Sequence, residues 1–180
     1  MAVKVSDIMI PIQDYPAVRE DQPLKDAVTA LRQIYCQVES GRCTEAGHRA
    51  VLVQNDKGWI VGILDFASIL RVLIPEIAGG LSEQLRRLDI AFTNAEAGWL
   101  GGEEESIDFE ERVRINANAK TGDVMLGVRG TAGPDDSLLE ALRQIHQNRI
   151  TVLPVYQGDQ PLGVVRDSDI FLATVSMFSE

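Results

Sequence analysis

Short apolar segments flank glycine-bearing polar turns in two places along the chain. Residues 51–70 contain an apolar segment, a polar turn that ends at Gly58, a second apolar segment and then a mixed segment. Residues 153–170 repeat this order around a turn at Gly158. Apolar segments of strand length on either side of such a turn are typical of a β-hairpin. The pattern therefore predicts two hairpins, each followed directly by a helix.

A segment with helical periodicity precedes each hairpin. Its apolar residues are three or four positions apart, which places them on one side of a helix. Because only one side is apolar, each helix is expected to pack on a sheet. The apolar positions are Leu24, Ala27, Val28, Leu31 and Ile34 in the first helix and Leu138, Ala141, Leu142 and Ile145 in the second.

The two halves of the chain are copies of one unit. Residues 6–9, Ser-Asp-Ile-Met, resemble residues 122–125, Gly-Asp-Val-Met, and each segment precedes a helix and a hairpin. Segments that recur in one order with unequal spacing indicate an internal duplication with loops of different length. The first copy is the longer one because of a polar, glycine-containing insertion at residues 37–49.

The second copy opens with Asp-Val-Met and closes with Leu-Pro-Val, Gly-Val-Val and Asp-Ile, over residues 123–170. A unit of this kind resembles the CBS domain, and two in tandem resemble a CBS pair, or Bateman module. The resemblance implies an α/β (α+β) fold of two β-α-β-β-α repeats packed as a pseudo-two-fold pair with a cleft between them. The expected organisation is a first repeat at residues 1–74, a connector at 75–120 and a second repeat at 121–180.

The connector matches neither repeat. Leu81, Leu85, Leu88 and Phe92 are spaced as one face of a short helix that follows a possible cap at Ser82, and an acidic run begins at residue 103. A charge run of this kind is typical of a solvated segment. The alternative is a docking element for a protein partner, since an exposed tryptophan such as Trp99 is a frequent interface anchor.

Charge and length narrow the classes of partner. The chain has 180 residues and a formal net charge of −10, which argues against nucleic acids and anionic membrane surfaces as partners. The N-terminus lacks the apolar run of a signal peptide, and no apolar stretch approaches the roughly 20 residues of a membrane helix. A cytoplasmic location is the expectation.

Neither a metal site nor a catalytic site is expected. Cys36, Cys43 and His48 are close in sequence, but their spacing matches no standard zinc pattern, and reduced thiols are the simpler interpretation. The two histidines and two cysteines of the chain form no nucleophile, base and orienting group at a recognisable spacing. The sequence therefore favours a regulatory or structural protein over an enzyme.

The resemblance also implies a ligand motif, which reads glycine, two apolar residues, Thr or Ser, two variable residues and Asp. The second copy has Gly163 and then reaches Asp169 at the last position. There a carboxylate can accept hydrogen bonds from the two ribose hydroxyls of an adenosine-containing ligand. Ser168 could add a hydroxyl toward the sugar or phosphate. Arg166 replaces the Thr or Ser and supplies a fork suited to phosphate.

The first copy departs from the motif at both polar positions, with Asp65 in place of the hydroxyl and Ser68 in place of the final Asp. At most one nucleotide site, built around Asp169, is therefore expected. By the resemblance, adenine would contact backbone groups near Thr131, Ala132, Ile150 and Thr151. Some family members hold phosphates with a His-Arg pair before the second strand, and residues 149–152 lack that pair. In the first copy, His48-Arg49 lies near the equivalent place but is shifted.

The leading hypothesis is a regulatory module that senses AMP, ADP or ATP in the cleft, forms a homodimer and signals to a protein partner. S-adenosylmethionine is an alternative ligand, because the His-Arg pair is missing. The alternative function is a degenerate CBS pair that serves as a dimerising adaptor without nucleotide. The changed residues Ser68 and Arg166 favour that alternative.

Overall fold

The structure is a computed structural model, and it describes residues 3–35, 49–75 and 108–178. A short 3-10 helix at Ile12–Asp14 joins the first two strands. The first repeat contributes α1 (Val5–Ile8), β1 (Ile10–Pro11), β2 (Ala17–Arg19), α2 (Leu24–Tyr35), β3 (Ala50–Gln54), β4 (Ile60–Asp65) and α3 (Phe66–Leu73). The rest of the described chain contributes α4 (Phe109–Asn116), α5 (Thr121–Val124), β5 (Leu126–Gly127), α6 (Leu138–Asn148), β6 (Val152–Gln157), β7 (Gln160–Arg166) and α7 (Asp167–Ser176).

Two sheets form the centre of the fold, with strand orders β2-β3-β4-β5 and β1-β7-β6. Strands β2 and β3 are parallel, and the two hairpins β3-β4 and β6-β7 are antiparallel. The α/β (α+β) fold and both predicted hairpins are confirmed, with Gly58 and Gly158 in the left-handed region at the turns (φ 77° and 61°).

Each repeat donates an edge strand to the sheet of the other. Strand β1 of the first repeat pairs antiparallel with β7, and β5 of the second repeat pairs antiparallel with β4. We call β1 and β5 the exchanged edge strands. Because each sheet is completed by the other repeat, the two repeats are structurally interdependent.

The exchange extends to the short helices that precede these strands. The amides of Val5 and Ser6 in α1 donate hydrogen bonds to the carbonyls of Asp136 (3.0 Å) and Pro134 (2.9 Å) in the second repeat. In the same way, Thr121 in α5 donates its hydroxyl to the carbonyl of Arg19 in the first repeat (2.6 Å). Val5 and Thr121 are both fully buried. Helices α1 and α5, which begin the two repeats, therefore each donate hydrogen bonds to the other repeat.

Three apolar clusters make up the described core. One lies under α2 and α3, and one lies under α6 and α7. The third contains residues of both repeats, among them Tyr15, Leu52 and Val164, and packs the two sheets together. Burial of apolar surface is the main favourable term in folding. Because the third cluster is shared, that term also holds the repeats in contact.

Among the side chains that the structure describes, the predicted helix faces are confirmed except at one position. Leu24, Ala27 and Leu31 of the first helix are buried, as are Ala141 and Ile145 of the second, while the side chain of Ile34 lies outside the described part. Leu142 was expected on the core face but is 43% exposed. It flanks the buried row of Ala141 and Ile145, so the apolar stripe of α6 is wider than the surface that the sheet covers.

Part of the predicted connector is folded against the first repeat. Helix α4 packs on α3, and the amide of Asn116, which is 1% exposed, donates a hydrogen bond to the carbonyl of Leu73 (3.3 Å). After α4, the carbonyls of Ala117 and Ala119 accept hydrogen bonds from the first amides of α2, both at 2.8 Å. Residues 108–120 are therefore attached to the first repeat, while the acidic side chains of Asp108, Glu110 and Glu111 are exposed, as the charge run predicted.

Several expectations concern residues outside the described part of the chain. They are the insertion with Cys36, Cys43 and His48, the helix expected after Ser82, Trp99, and the acidic residues 103–105. Within the described ranges, no helix is both long and apolar enough to span a bilayer.

Candidate ligand site between the two repeats

Two adjoining cavities lie where the ends of β4 and β7 meet. The smaller has a volume of ≈ 80 Å³ and the larger ≈ 360 Å³, and both are bordered by Asp65, Thr151 and Val152. The larger volume is within the range of small-molecule sites. The smaller cavity is otherwise lined by Ile63, Leu126, Gly127, Arg129, Arg149, Ile150 and Pro154, and the larger by Arg49, Phe66, Ala67, Arg166, Asp167 and Ser168. We call the two cavities together the cleft.

The duplicated sequence explains why the cleft lies here. In each repeat the second hairpin strand passes directly into the last helix, at Asp65–Phe66 in one copy and Arg166–Asp167 in the other. Both junctions face the larger cavity, so the first turns of α3 and α7 border the same space. Helix N-termini carry partial positive charge and free amides. The cleft is therefore bordered by equivalent parts of both repeats.

Positive charge is concentrated in the cleft. Among the described residues that line it, four are arginines, Arg49, Arg129, Arg149 and Arg166, and two are aspartates, Asp65 and Asp167. The whole chain has a net charge of −10, so this local excess of arginine runs against the composition. Guanidinium groups bind phosphate and carboxylate through paired hydrogen bonds. The electrostatics of the cleft therefore favour an anionic ligand.

Arg149 has an unusual backbone conformation. It ends α6 in the left-handed region (φ 52°, ψ 47°) and is the only described residue other than glycine with positive φ. Such a conformation is uncommon for a residue with a side chain and costs some stability. It places an exposed guanidinium-bearing residue at the entrance to the smaller cavity.

Arg166 and Asp169 form a buried ion pair beside the cleft. The Arg166 Nε and Nη2 atoms lie 2.9 Å and 2.5 Å from the Asp169 Oδ2 and Oδ1 atoms. The backbone amide of Arg166 donates a further hydrogen bond to Oδ2 (2.9 Å). The two side chains are only 9% and 10% exposed. The hydrogen bond to Asp169 raises the pKa of Arg166 above its usual value, although burial opposes the shift.

These two positions also cap the last helix in both repeats. Arg166 immediately precedes the first residue of α7. The carboxylate of Asp169, three residues later, accepts a hydrogen bond from the backbone amide of Arg166. In the first repeat, Ser68 donates its amide to the Asp65 carboxylate (2.7 Å), and the Asp65 amide donates to the Ser68 hydroxyl (2.9 Å). The first repeat has a complete capping box, a common way to satisfy the free amides of a helix start. The second repeat has only the bond from the Arg166 amide to Asp169, because a guanidinium has no acceptor for a helix amide. The motif positions therefore bind each other, with a charged pair in one repeat and an uncharged hydroxyl partner in the other.

Tyr15 lies near the ion pair of Arg166 and Asp169, although the sequence pattern did not indicate it. It comes from the link between β1 and β2, is buried, and is close enough to Arg166 and Asp169 to respond to both charges. Burial raises its pKa above the usual value, and the positive charge of Arg166 opposes the increase. A buried aromatic residue in an irregular segment has no periodic signal, so only the packing identifies it.

Some of the predicted site residues line the cleft and others do not. Arg166, Ser168, Ile150 and Thr151 border it. Asp169, Thr131 and Ala132 are not among the described lining residues. The amide and carbonyl of Ala132 pair with Pro154 and Tyr156, both at 2.9 Å, so the sheet already uses both backbone groups. Within the described ranges, no group of three His, Cys, Asp or Glu residues could hold a metal ion.

The sequence pattern assigned no role to Arg129, and it indicated Arg49 only as part of His48-Arg49, a shifted counterpart of the family's His-Arg pair. Arg49 lies just before β3, and Arg129 follows β5 in an irregular segment. A comparison of the two copies could have identified Arg49, because an arginine precedes the first hairpin strand in each copy, Arg49 in one and Arg149 in the other. Arg129 has no counterpart signal, because it reaches the cleft through the exchange of β5 into the first repeat's sheet.

Comparisons with known proteins agree with the duplicated fold. Residues 5–75 and 122–176 both match the family model described as CBS domain. Among curated proteins, none matches the sequence significantly.

Several solved structures share the fold. The CBS domain of a CBS domain containing membrane protein from Sphaerobacter thermophilus is 23% identical, with a TM-score of 0.60 over 95% of this chain and 87% of that one. The CBS-pair protein CBSX2 from Arabidopsis thaliana is 15% identical, with a TM-score of 0.63 over 100% and 99%. A structure of CBSX2 in complex with AMP is 16% identical, with a TM-score of 0.59 over 97% of each chain. At these identities the similarity shows a common fold.

Proposed function

The chain belongs to the CBS-domain family, and from that premise we propose that it is a regulatory module that senses an adenosine-containing ligand in the cleft. The ligand is AMP, ADP or ATP, and its occupancy is passed to a protein partner. The proposal includes a homodimer, a cytoplasmic location and a signalling rather than a catalytic role.

One observation carries the proposal. The larger cavity of the cleft, ≈ 360 Å³, is bordered by both repeats, and four arginines line the two cavities in a chain of net charge −10. A related fold, CBSX2, has been crystallised with AMP. A nucleotide combines an apolar base with a polyanionic end, and the cleft offers apolar residues such as Ile63 and Val152 beside Arg129 and Arg149. S-adenosylmethionine lacks phosphates and carries a positive sulfonium, so the arginines disfavour it.

The fold offers a physical route from occupancy to signal. A ligand that contacts both repeats favours the relative packing in which its contacts are best, and only such differential affinity can shift an equilibrium. Strands β4 and β7 lead into the cleft, and the same strands pair with the exchanged edge strands. A change of packing at the cleft is therefore transmitted to the leading helices α1 and α5.

The first experiment measures thermal unfolding with AMP, ADP, ATP, adenosine and S-adenosylmethionine at millimolar concentration. A ligand that binds only the folded state raises the melting temperature. We expect an increase with the nucleotides, largest for ATP, and little with adenosine or S-adenosylmethionine. No increase with any nucleotide would contradict the proposal.

The matched variants test where the nucleotide binds. Arg149→Asn removes the charge but keeps a residue that tolerates the left-handed conformation. It should weaken ATP binding about 10-fold, as expected for the loss of one charge-assisted hydrogen bond. Arg143→Asn removes an exposed arginine of the same helix that pairs with Glu140 (3.8 Å) and does not line the cleft. Equal losses in the two variants would place the nucleotide outside the cleft.

Specific observations favour a second function, that of a dimerising adaptor without nucleotide. The carboxylate of Asp169 is already engaged by Arg166, and both backbone groups of Ala132 are engaged by the sheet. Helices α6 and α7 also leave large apolar side chains exposed, namely Leu139, Leu142, Phe171, Leu172 and Val175. This function predicts a stable dimer whose melting temperature no nucleotide changes.

A further inference from the structure

The ion pair of Arg166 and Asp169 exceeds what the capping of α7 requires. In the first repeat the same two positions cap α3 with a carboxylate and a buried serine hydroxyl, without a second charge. A threonine or serine before the helix would cap α7 better, because a hydroxyl can accept from a helix amide and a guanidinium cannot. A buried ion pair is also no clear gain in stability over an uncharged alternative, because both charges must be removed from water. The guanidinium therefore needs another explanation than helix capping.

The contacts of Asp169 leave it poorly suited to bind sugar hydroxyls. Its Oδ2 atom accepts hydrogen bonds from both the amide and the Nε of Arg166, and its Oδ1 atom accepts from Nη2. A ribose diol would have to displace the guanidinium, which is packed near Tyr15 with only 9% of its side chain exposed. Displacement would leave a buried positive charge without its carboxylate, which is strongly unfavourable.

Phosphate groups meet no such obstacle. The arginines at positions 49, 129 and 149 are exposed at the border of the cleft and face only the carboxylates of Asp65 and Asp167 among the described lining residues. A ligand can therefore gain from its phosphates without opening the buried pair.

Resting on the proposed function, we propose that Arg166 is a specificity-determining residue that occupies the sugar-binding carboxylate, so that the cleft selects nucleotides by their phosphates and ignores the ribose diol. The natural chain then discriminates by phosphate number, with ATP bound more tightly than AMP and both more tightly than adenosine. Exchanging Arg166 for a small hydroxyl residue opens Asp169 and creates preference for the diol.

The test compares AMP with 2′,3′-dideoxy-AMP, which lacks both ribose hydroxyls, by calorimetric titration of the full chain. The natural protein should bind the two with dissociation constants within about threefold of each other. Arg166→Thr should bind AMP about 10-fold or more tightly than the dideoxy analogue, because a freed carboxylate can accept both hydroxyls. Threonine is a good helix cap, so α7 should form normally in this variant.

Two control variants identify the cause of the new preference. The first control combines Arg166→Thr with Asp169→Asn. Asparagine keeps the volume of the side chain at position 169 but has no carboxylate, so the diol preference should disappear. Arg143→Thr makes the same chemical change away from the cleft and should leave the natural ratio unchanged. A diol preference that persists in the double variant would overturn the assignment of Asp169.

The outcomes separate this inference from the proposed function. A natural protein that already prefers AMP about 10-fold over its dideoxy analogue overturns the inference, whether or not the variants fold. Nucleotide binding by the natural protein, with no diol preference in Arg166→Thr, also overturns it and leaves the proposed function standing. Diol-dependent AMP binding by Arg166→Thr, with no nucleotide binding by the natural protein, overturns both, because the natural cleft then selects no nucleotide by its phosphates. Binding by neither protein contradicts both.

Discussion

Gly62 and Gly163 occupy equivalent positions, each beneath an exchanged edge strand. A Cβ atom at Gly163 would lie 2.2 Å from the carbonyl oxygen of Ile10 in β1, and one at Gly62 would lie 2.2 Å from the Met125 Sδ atom ahead of β5. Both distances are far below van der Waals contact. Glycine is therefore needed at 163 because the backbone of β1 crosses over it, whereas at 62 the close neighbour is the side chain of Met125.

The two glycines differ in what they touch, which gives a prediction. The methyl group added by Gly163→Ala clashes with the backbone of β1, which cannot move without breaking the β1-β7 pairing. The methyl group added by Gly62→Ala clashes only with the flexible side chain of Met125. We expect Gly163→Ala to lower the free energy of unfolding by about 3 kcal/mol and Gly62→Ala by about 1 kcal/mol. Urea denaturation of both variants measures the difference. Equal losses would argue against strand β1 lying over Gly163.

At the level of elements, local patterns predicted most of the fold. The hairpins and the helices α2, α3, α6 and α7 follow from apolar periodicity and glycine turns, which depend on neighbours in sequence. Helix α4 was missed because Glu110, Glu111 and Arg114 make its sequence look solvated. Only Arg112 and Asn116 are buried, and neither is apolar. A helix that packs through polar side chains carries no hydrophobic signal.

The role of α4 leads to a prediction about Asn116. Its side chain is 1% exposed and donates to the carbonyl of Leu73 at the end of α3. Asn116→Ala should lower the free energy of unfolding by about 2 kcal/mol, because the part-buried hydrogen bond to the Leu73 carbonyl is lost along with the packing of the side chain. Asn118→Ala is the matched control, since both contacts of the Asn118 side chain are exposed: it donates to the carbonyl of Arg114 (2.9 Å) and accepts from the Lys25 ammonium (3.2 Å). Chemical denaturation in which both variants lose the same stability would show that α4 is not anchored by Asn116.

At the level of the whole molecule, the site depends on how the two repeats are put together. Arg166, Ser168 and Thr151 could be assigned to the cleft from the sequence because the motif was recognised in the second copy. The contact that closes Asp169 could not be assigned, since a guanidinium three residues away can point to solvent or fold back. The contribution of Arg129 follows from the exchange of β5, which no single copy encodes. Sequence reasoning thus locates the cleft but not its charge.

The central claim is that an adenosine nucleotide binds between the repeats, and hydrogen exchange with and without ATP tests it most directly. Bound ligand should slow exchange in two segments at once, residues 63–68 of the first repeat and 149–152 of the second, because both border the cleft. Helix α6 near Glu140, which does not line the cleft, serves as the internal control. Protection confined to one repeat, or none at saturating ATP, would contradict the account.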